Sequence, residues 1–363
     1  MDVHFLPRCR SSLIGSLPVD SHETANRWVW QYSPAIPLWI QLPANRAEDM
    51  ILQFLPGMPG LVNEDGRVYV DTQGKAFDDE LVAFYEEYLS VTEENADFDT
   101  SRFALSAESA PGFYIFLESL EKRAHPPEAV KGQVTGPITL CTSVTDQEKT
   151  AVFYHDQLRD AAVKLISLKA RWQVRRLSGF GVPVILFIDE PSLAGFGSSE
   201  FTSISKDQVK ACLEEVIDAV HAEGGLAGVH VCANTDWSLI LETSVDIVNF
   251  DAYSYFDRFI LYSDPIKHFL RTGRILAWGI VPTFPVSSME TESAQSLLAK
   301  LTEQMNEIQD LGIDRSGVLA QSLITPSCGA GSLNPAQAVK VLQLTQAVSE
   351  VMHHTAISEQ ESG

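Results

Sequence analysis

Short apolar runs alternate along this chain with longer stretches of helical periodicity, and the alternation continues over most of its length. Residues 12–15, 37–41, 129–134, 184–188, 226–230, 246–250, 275–278 and 317–320 read as strands, being short, rich in Val, Ile and Leu, and bounded by Gly, Pro or polar residues. Most are followed by an amphipathic helical pattern, as at 206–221, 291–310 and 335–352. Eight strand–helix units on 363 residues fit a single (β/α)8 TIM barrel spanning residues 1–352. A doubly wound open sheet is the alternative, but no Gly-rich dinucleotide loop follows the first strand. One segment breaks the rhythm. At 61–70, alternating residues flank Glu64-Asp65-Gly66, which predicts a β-hairpin excursion after the second strand. The tail, 353–363, is polar and expected to fray.

The hydrophobic fraction of 45% is that of a globular protein with a full core. The 48 acidic residues outnumber the 26 basic ones, for a net charge of −22. That balance argues against nucleic acid and against an anionic membrane surface, and predicts a solvated acidic exterior. No run reaches the roughly 18 apolar residues of a membrane span, and residues 1–10 lack the apolar core of a secretory signal. Five scattered cysteines make no disulfide framework, so a reducing, cytoplasmic setting is expected.

Reactive side chains fall where strands end, which in a barrel is where the active site lies. His230 and Cys232 are two apart and share one side of an extended segment. Asp251 follows the strand at 246–250, and Cys328 sits in Thr325-Pro326-Ser327-Cys328-Gly329. Imidazole, two thiols and a carboxylate suit zinc by ligand type. Each cysteine alone reads equally well as a small buried hydrophobe, and His230 as a satisfied core histidine. Asp189-Glu190-Pro191 ends another strand and could bind an ammonium, act as acid or base, or cap a segment. Ile14-Gly15-Ser16-Leu17-Pro18 offers N–H groups and a hydroxyl to a carboxylate, or is simply a turn. The small-residue stretches at 132–137 and 278–283 admit a ligand close to the backbone or form tight turns. Cys9, Cys141 and Cys212 show no pattern beyond packing.

In order, Ile14-Gly15-Ser16-Leu17-Pro18, Lys131-Gly132-Gln133-Val134-Thr135-Gly136-Pro137, Ile188-Asp189-Glu190-Pro191, His230-Val231-Cys232, the 246–251 run and Pro326-Ser327-Cys328-Gly329 resemble one family. It is the catalytic C-terminal barrel of cobalamin-independent methionine synthase, in the superfamily that includes uroporphyrinogen decarboxylase. The resemblance implies a zinc site of His230, Cys232 and Cys328, with Asp251 standing where the family has a glutamate one methylene longer. It implies a homocysteine site in which Ile14, Gly15 and Ser16 hold the carboxylate and Asp189 the amino group. The full-size enzymes have an additional N-terminal barrel associated with folate, and this chain resembles short single-barrel relatives. Those are expected to take the methyl group from methylcobalamin or a methylated corrinoid protein, with Trp39, Trp278, Phe284 and Tyr253 as candidate aromatic wall. No Asp-x-His-x-x-Gly corrinoid sequence is present, so the corrinoid would be free or on a partner. The decarboxylase relatives use arginines and no metal, which fits this Arg- and Lys-poor chain less well. The expected activity is methylation of homocysteine to methionine. Its rivals are methyltetrahydrofolate as donor, coenzyme M as acceptor, or a zinc- or corrinoid-binding accessory protein without turnover.

Overall fold

The structure is a computed structural model that describes residues 5–64, 66–94, 96–197, 201 and 203–362. Two strands, β1 (Leu61–Glu64) and β2 (Arg67–Val70), pair as an antiparallel hairpin, with Leu61 opposite Val70. Gly66 turns it at φ +79°, a conformation that glycine adopts without steric penalty, while Asp65 lies outside the described residues. The hairpin expected at 61–70 is therefore present, and Val70 N–H donates to Thr145 O at 3.0 Å, tying it to the loop before residue 146.

Six parallel strands form the centre: β3 (Val130–Thr135), β4 (Val184–Asp189), β5 (Leu226–Val231), β6 (Ile247–Phe250), β7 (Ile275–Val281) and β8 (Ser322–Pro326). They lie side by side in chain order, curling into a TIM-like half-barrel. Nearly every strand residue is buried on whichever face it points to. Burial on both faces is why these strands read as continuous apolar runs rather than alternating ones. The segments expected as strands at 12–15 and 37–41 are not strands among the described residues, so the eight-stranded barrel is not complete; isolated parallel bridges in or beside them join Ser11 to Ile324, Ser16 to Gln41 and Leu38 to Lys131. The inner face of the curl holds Ile14, Ile36, Ile185, Phe187, Ile247, Ile275, Ala277 and Leu323 as one apolar cluster. Gly228 belongs to this packing, because a Cβ there would stand 2.5 Å from the Phe187 ring.

Two expectations change. Residues 317–320 belong to a helix, Arg315–Ala320, capped by Asp314, and the last strand is β8 two residues later. A four-residue apolar run does not distinguish a strand from a buried turn of helix. The polar tail does not fray at 353: the final helix runs Pro335–Ser362, held by Arg315 to Glu359 at 2.7 Å and by His353 to the Arg8 carbonyl at 2.8 Å. The helical pattern at 291–310 begins at Ala294, where Ser293 and Ser296 form a reciprocal cap. Among the described residues no helix is long and apolar enough to cross a membrane.

Candidate metal centre

Strand register decides which side chains meet. Asp189 and His230 are register partners on β4 and β5, as are His230 and Asn249 on β5 and β6. Phe187 and Ile247 face the inner cluster, so Asp189 and Asn249, two residues further along, face inward at the strand ends. Cys232 follows His230 by the same step, and Cys328 comes in from the turn after β8. The ligand atoms of His230, Cys232 and Cys328 lie within 4.8 Å of one another.

His230 and Cys328 are held in place by their neighbours. His230 Nδ1 hydrogen-bonds to Asn249 Oδ1. Asn249 Nδ2 is already donating to Ala277 O at 2.9 Å and Thr325 Oγ1 at 2.8 Å, so the network assigns the proton to His230 Nδ1 and leaves Nε2 as the ligand atom. Ser327, beside Cys328, receives the Thr283 N–H at 3.1 Å and donates its own N–H to Val281 O at 2.9 Å. Gly279 allows that turn to close in, since a Cβ there would lie 2.6 Å from Phe250 O and 2.9 Å from Ser327 Cα.

The three side chains are electrostatically coupled. Hydrogen bonding from Cys328, and then from His230, pulls the Cys232 thiol well below its ordinary value. The same hydrogen bond, with burial, pushes Cys328 up. Burial acts to lower His230, but its hydrogen bond to Cys232 and the charge of Asp189 carry it upward overall. Burial raises Asp189, opposed by His230 and Lys131. Its Oδ1 is buried without a hydrogen-bond partner.

A cavity of about 390 Å³ opens over these strand ends. Its walls include Ile14, Gly15 and Ser16 from the first extended segment, together with Asp189, His230, Cys232 and Cys328. All four residues assigned to an amino-acid substrate thus share a chamber with the trio. Ser16 N–H donates to Ile14 O at 2.7 Å, so the backbone donor expected there is engaged. The Ser16 hydroxyl accepts from Gly331 N–H at 3.3 Å, and Ser16 lines the cavity.

No protein-family model and no curated protein matches the sequence. Among solved structures, a chain from the tandem GH20 catalytic modules of the pneumococcal exo-β-D-N-acetylglucosaminidase StrH is similar at a TM-score of 0.43 and 8% identity, over 94% of this chain and 85% of that chain. A likeness that low carries nothing for the chemistry. The site has to be read from its own residues.

Three assignments made from the sequence find different places. Asp251 stands outside the trio: its Oδ1 accepts the Ser254 N–H at 2.8 Å and caps the helix Ala252–Phe259. Burial pushes its carboxyl up to about 6. Trp39 and Trp278 are 1% and 0% exposed and form no wall. Trp278 alternates with the inward Ala277 and Gly279, so it points to the helix layer, with its Nε1 donating to Ser322 Oγ at 2.9 Å and its ring against Phe250 and Phe256. Trp39 packs edge-on against Phe113 and donates to Gln173 Oε1 at 2.9 Å. Tyr253 bonds Glu292 at 2.8 Å, and Phe284 is 77% exposed.

Glu190 answers the question left open by Asp189-Glu190-Pro191. Its carboxylate accepts from Ile138 N–H and Thr139 N–H, both at 2.8 Å, and from the Thr139 hydroxyl at 2.6 Å. It therefore caps the helix Pro137–Ser143 that follows β3. Gly136 is the residue that lets it in, since a Cβ there would meet Glu190 at 2.1 Å. The small residues around 136 and 279 serve protein packing, with no ligand needed to explain them. Sequence reasoning missed Gln41 and Glu48, which also line the cavity, and the orienting role of Asn249. Asn249 carried a signal, as a polar residue inside an apolar strand.

Proposed function

We propose that this chain is a zinc-dependent methyltransferase that converts homocysteine to methionine, drawing the methyl group from methylcobalamin or a methylated corrinoid protein. The reading rests on one observation: an imidazole and two thiols from two distant segments converge, within 4.8 Å, in a cavity that also presents Asp189 and Ser16. The donor set fits zinc. Tetrahedral sites of this kind hold ligand atoms roughly 3.5–3.8 Å apart, which small side-chain movements from the observed spread supply. Zinc bound there would keep an incoming thiol as a nucleophilic thiolate.

The residues of the chain do the rest. Asp189, buried and with an unsatisfied oxygen, holds the substrate ammonium, and the Ser16 hydroxyl donates to the carboxylate. Two fixed points on the amino acid aim its sulfur toward the trio, and collinearity of sulfur, methyl carbon and leaving atom sets the rate. With Asp251 capping its helix, His230, Cys232 and Cys328 are the residues that would hold zinc, which would supply a Lewis acid for the substrate thiol. The new S–C bond forms as the methyl group leaves its donor, and the donor keeps the bonding pair. A sulfonate thiol such as coenzyme M has no ammonium for Asp189, which favours the amino acid. The same reading takes the extended segments around 11–16 and 36–41 as the first two staves of an eight-stave barrel of the methionine synthase type. Five free cysteines, two of them ligands, suit a reducing cytoplasm.

The test is to mix zinc-loaded protein with homocysteine and either methylcobalamin or methyltetrahydrofolate. Loss of the methylcobalamin spectrum with methionine formed, abolished by chelation, supports the reading. Activity with the folate alone would reassign the donor. No methionine from either, with zinc bound, would leave an accessory binding protein.

A further inference from the structure

Gln41 is tied to the segment that supplies Gly15 and Ser16. Its N–H donates to Gly15 O at 2.8 Å, its carbonyl accepts from Leu17 N–H at 3.3 Å, and Ser16 and Gln41 pair in a parallel bridge. The side chain is oriented from behind. Gln53, fully buried, donates from Nε2 to Ser109 O at 2.6 Å. A carbonyl can only accept, so Gln53 Oε1 is left as an acceptor, and Gln41 Nε2 donates to it at 2.6 Å. This relay fixes the other end of the Gln41 amide, Oε1, as an acceptor. Among the described residues no group donates to Oε1, and the atom stays open to solvent in a residue that lines the cavity over the strand ends. Gly15 keeps it uncovered, since a Cβ there would stand 3.0 Å from Oε1.

We propose that Gln41 is a specificity-determining residue of this cavity, its amide oxygen accepting an N–H of a substrate ammonium. The proposal rests on the homocysteine reading above. An ammonium carries three donors, and where water is displaced each one left without an acceptor costs desolvation. Asp189 serves one of them in that reading, and Gln41 serves a second. The carboxylate and ammonium of an α-amino acid share one carbon, so the groups that bind them must be neighbours. Gln41 meets that condition through its bridge to Ser16. A neutral amide takes the ammonium without adding negative charge to a cavity that already holds two thiols. It offers nothing to a thiol acid that lacks the amino group.

Calorimetric titration of the zinc-loaded full chain with homocysteine and with γ-mercaptobutyrate, the same thiol acid without its amino group, decides it. The wild type should bind homocysteine the more tightly. Gln41→Leu should weaken homocysteine about tenfold, a usual loss for a hydrogen bond to a charged group, while its γ-mercaptobutyrate and zinc affinities stay within about twofold. Gln41→Met takes its place should the leucine variant not fold. Unchanged homocysteine affinity in the variant overturns the proposal. An equal loss for both thiols overturns it too, because Gln41 would then only shape the wall. In both of those outcomes the wild type binds homocysteine and the functional reading stands. A wild type that binds neither thiol defeats that reading, and one that binds both equally recognises no ammonium; the proposal falls in either case.

Discussion

Asn249 is fully buried in the middle of an apolar strand, and its two donors and its acceptor are all engaged. Among the described residues only His230 uses the acceptor, so Asn249 orients the imidazole while its donors tie β6 to Ala277 and Thr325. Replacing it with leucine should lower zinc affinity by roughly 10–100-fold, as loss of an outer hydrogen bond to a ligating histidine typically does. Competition with a chelator measures this, and an unchanged constant would remove Asn249 from the site. Cys328→Ser should lose both zinc and methyl transfer with an intact far-ultraviolet spectrum. Asp189→Asn addresses a different contact. It should raise the homocysteine Kd by roughly 10–100-fold, the usual range for a charged hydrogen bond, with zinc binding held within about twofold. Equal losses of zinc and substrate would show that Asp189 shapes the metal centre and does not contact the amino acid.

At the scale of elements, Glu190 fixes how the helix after β3 meets β4. Glu190→Ala strands two buried N–H groups and a hydroxyl, and should cost about 2–5 kcal/mol of stability by chemical unfolding. Burial, acting against those three donors, raises the Glu190 carboxyl from 4.5 to about 7. A raised acid binds protons more tightly in the folded state, so its contribution is fully present below pH 4.5 and is lost as pH rises through about 7. Stability should accordingly fall across that window in the wild type, and the slope should flatten in Glu190→Gln. A wild type whose stability rises steadily from pH 5 to 7, unaltered in the variant, contradicts this account. The capping role could not be read from Asp-Glu-Pro, because the capped N–H groups lie some fifty residues earlier.

For the whole molecule, the charge of −22 dominates. Most of the ion pairs are partly exposed, as with Lys122–Glu118 and Arg258–Asp257, and pairs of that kind contribute little. Self-repulsion among the surplus carboxylates should instead be the larger electrostatic effect. Raising salt from about 10 to 150 mM shortens the screening length from roughly 30 to 8 Å and should therefore raise Tm. A fall in Tm over that range would mean that specific surface pairs outweigh the net charge.

Local chemistry determined much of this protein in advance. Buried parallel strands declare themselves as apolar runs, the Glu64 to Gly66 turn declares a hairpin, and the candidate ligands fall at strand ends because the chain leaves each strand there. Periodicity failed where runs were short, as at 317–320, and where a polar helix gained tertiary anchors, as at 353–362. Register and facing belong to the tertiary structure alone. A step of one residue sends Trp278 to the helices while Ala277 and Gly279 face the interior, and so removes a candidate wall that composition could not. Folding also separates Asp251, drawn to a helix N-terminus, from the sulfur and nitrogen donors that distant segments bring together. Sequence names the groups able to bind a metal; only the crossing of strands sets which of them are near enough to share one.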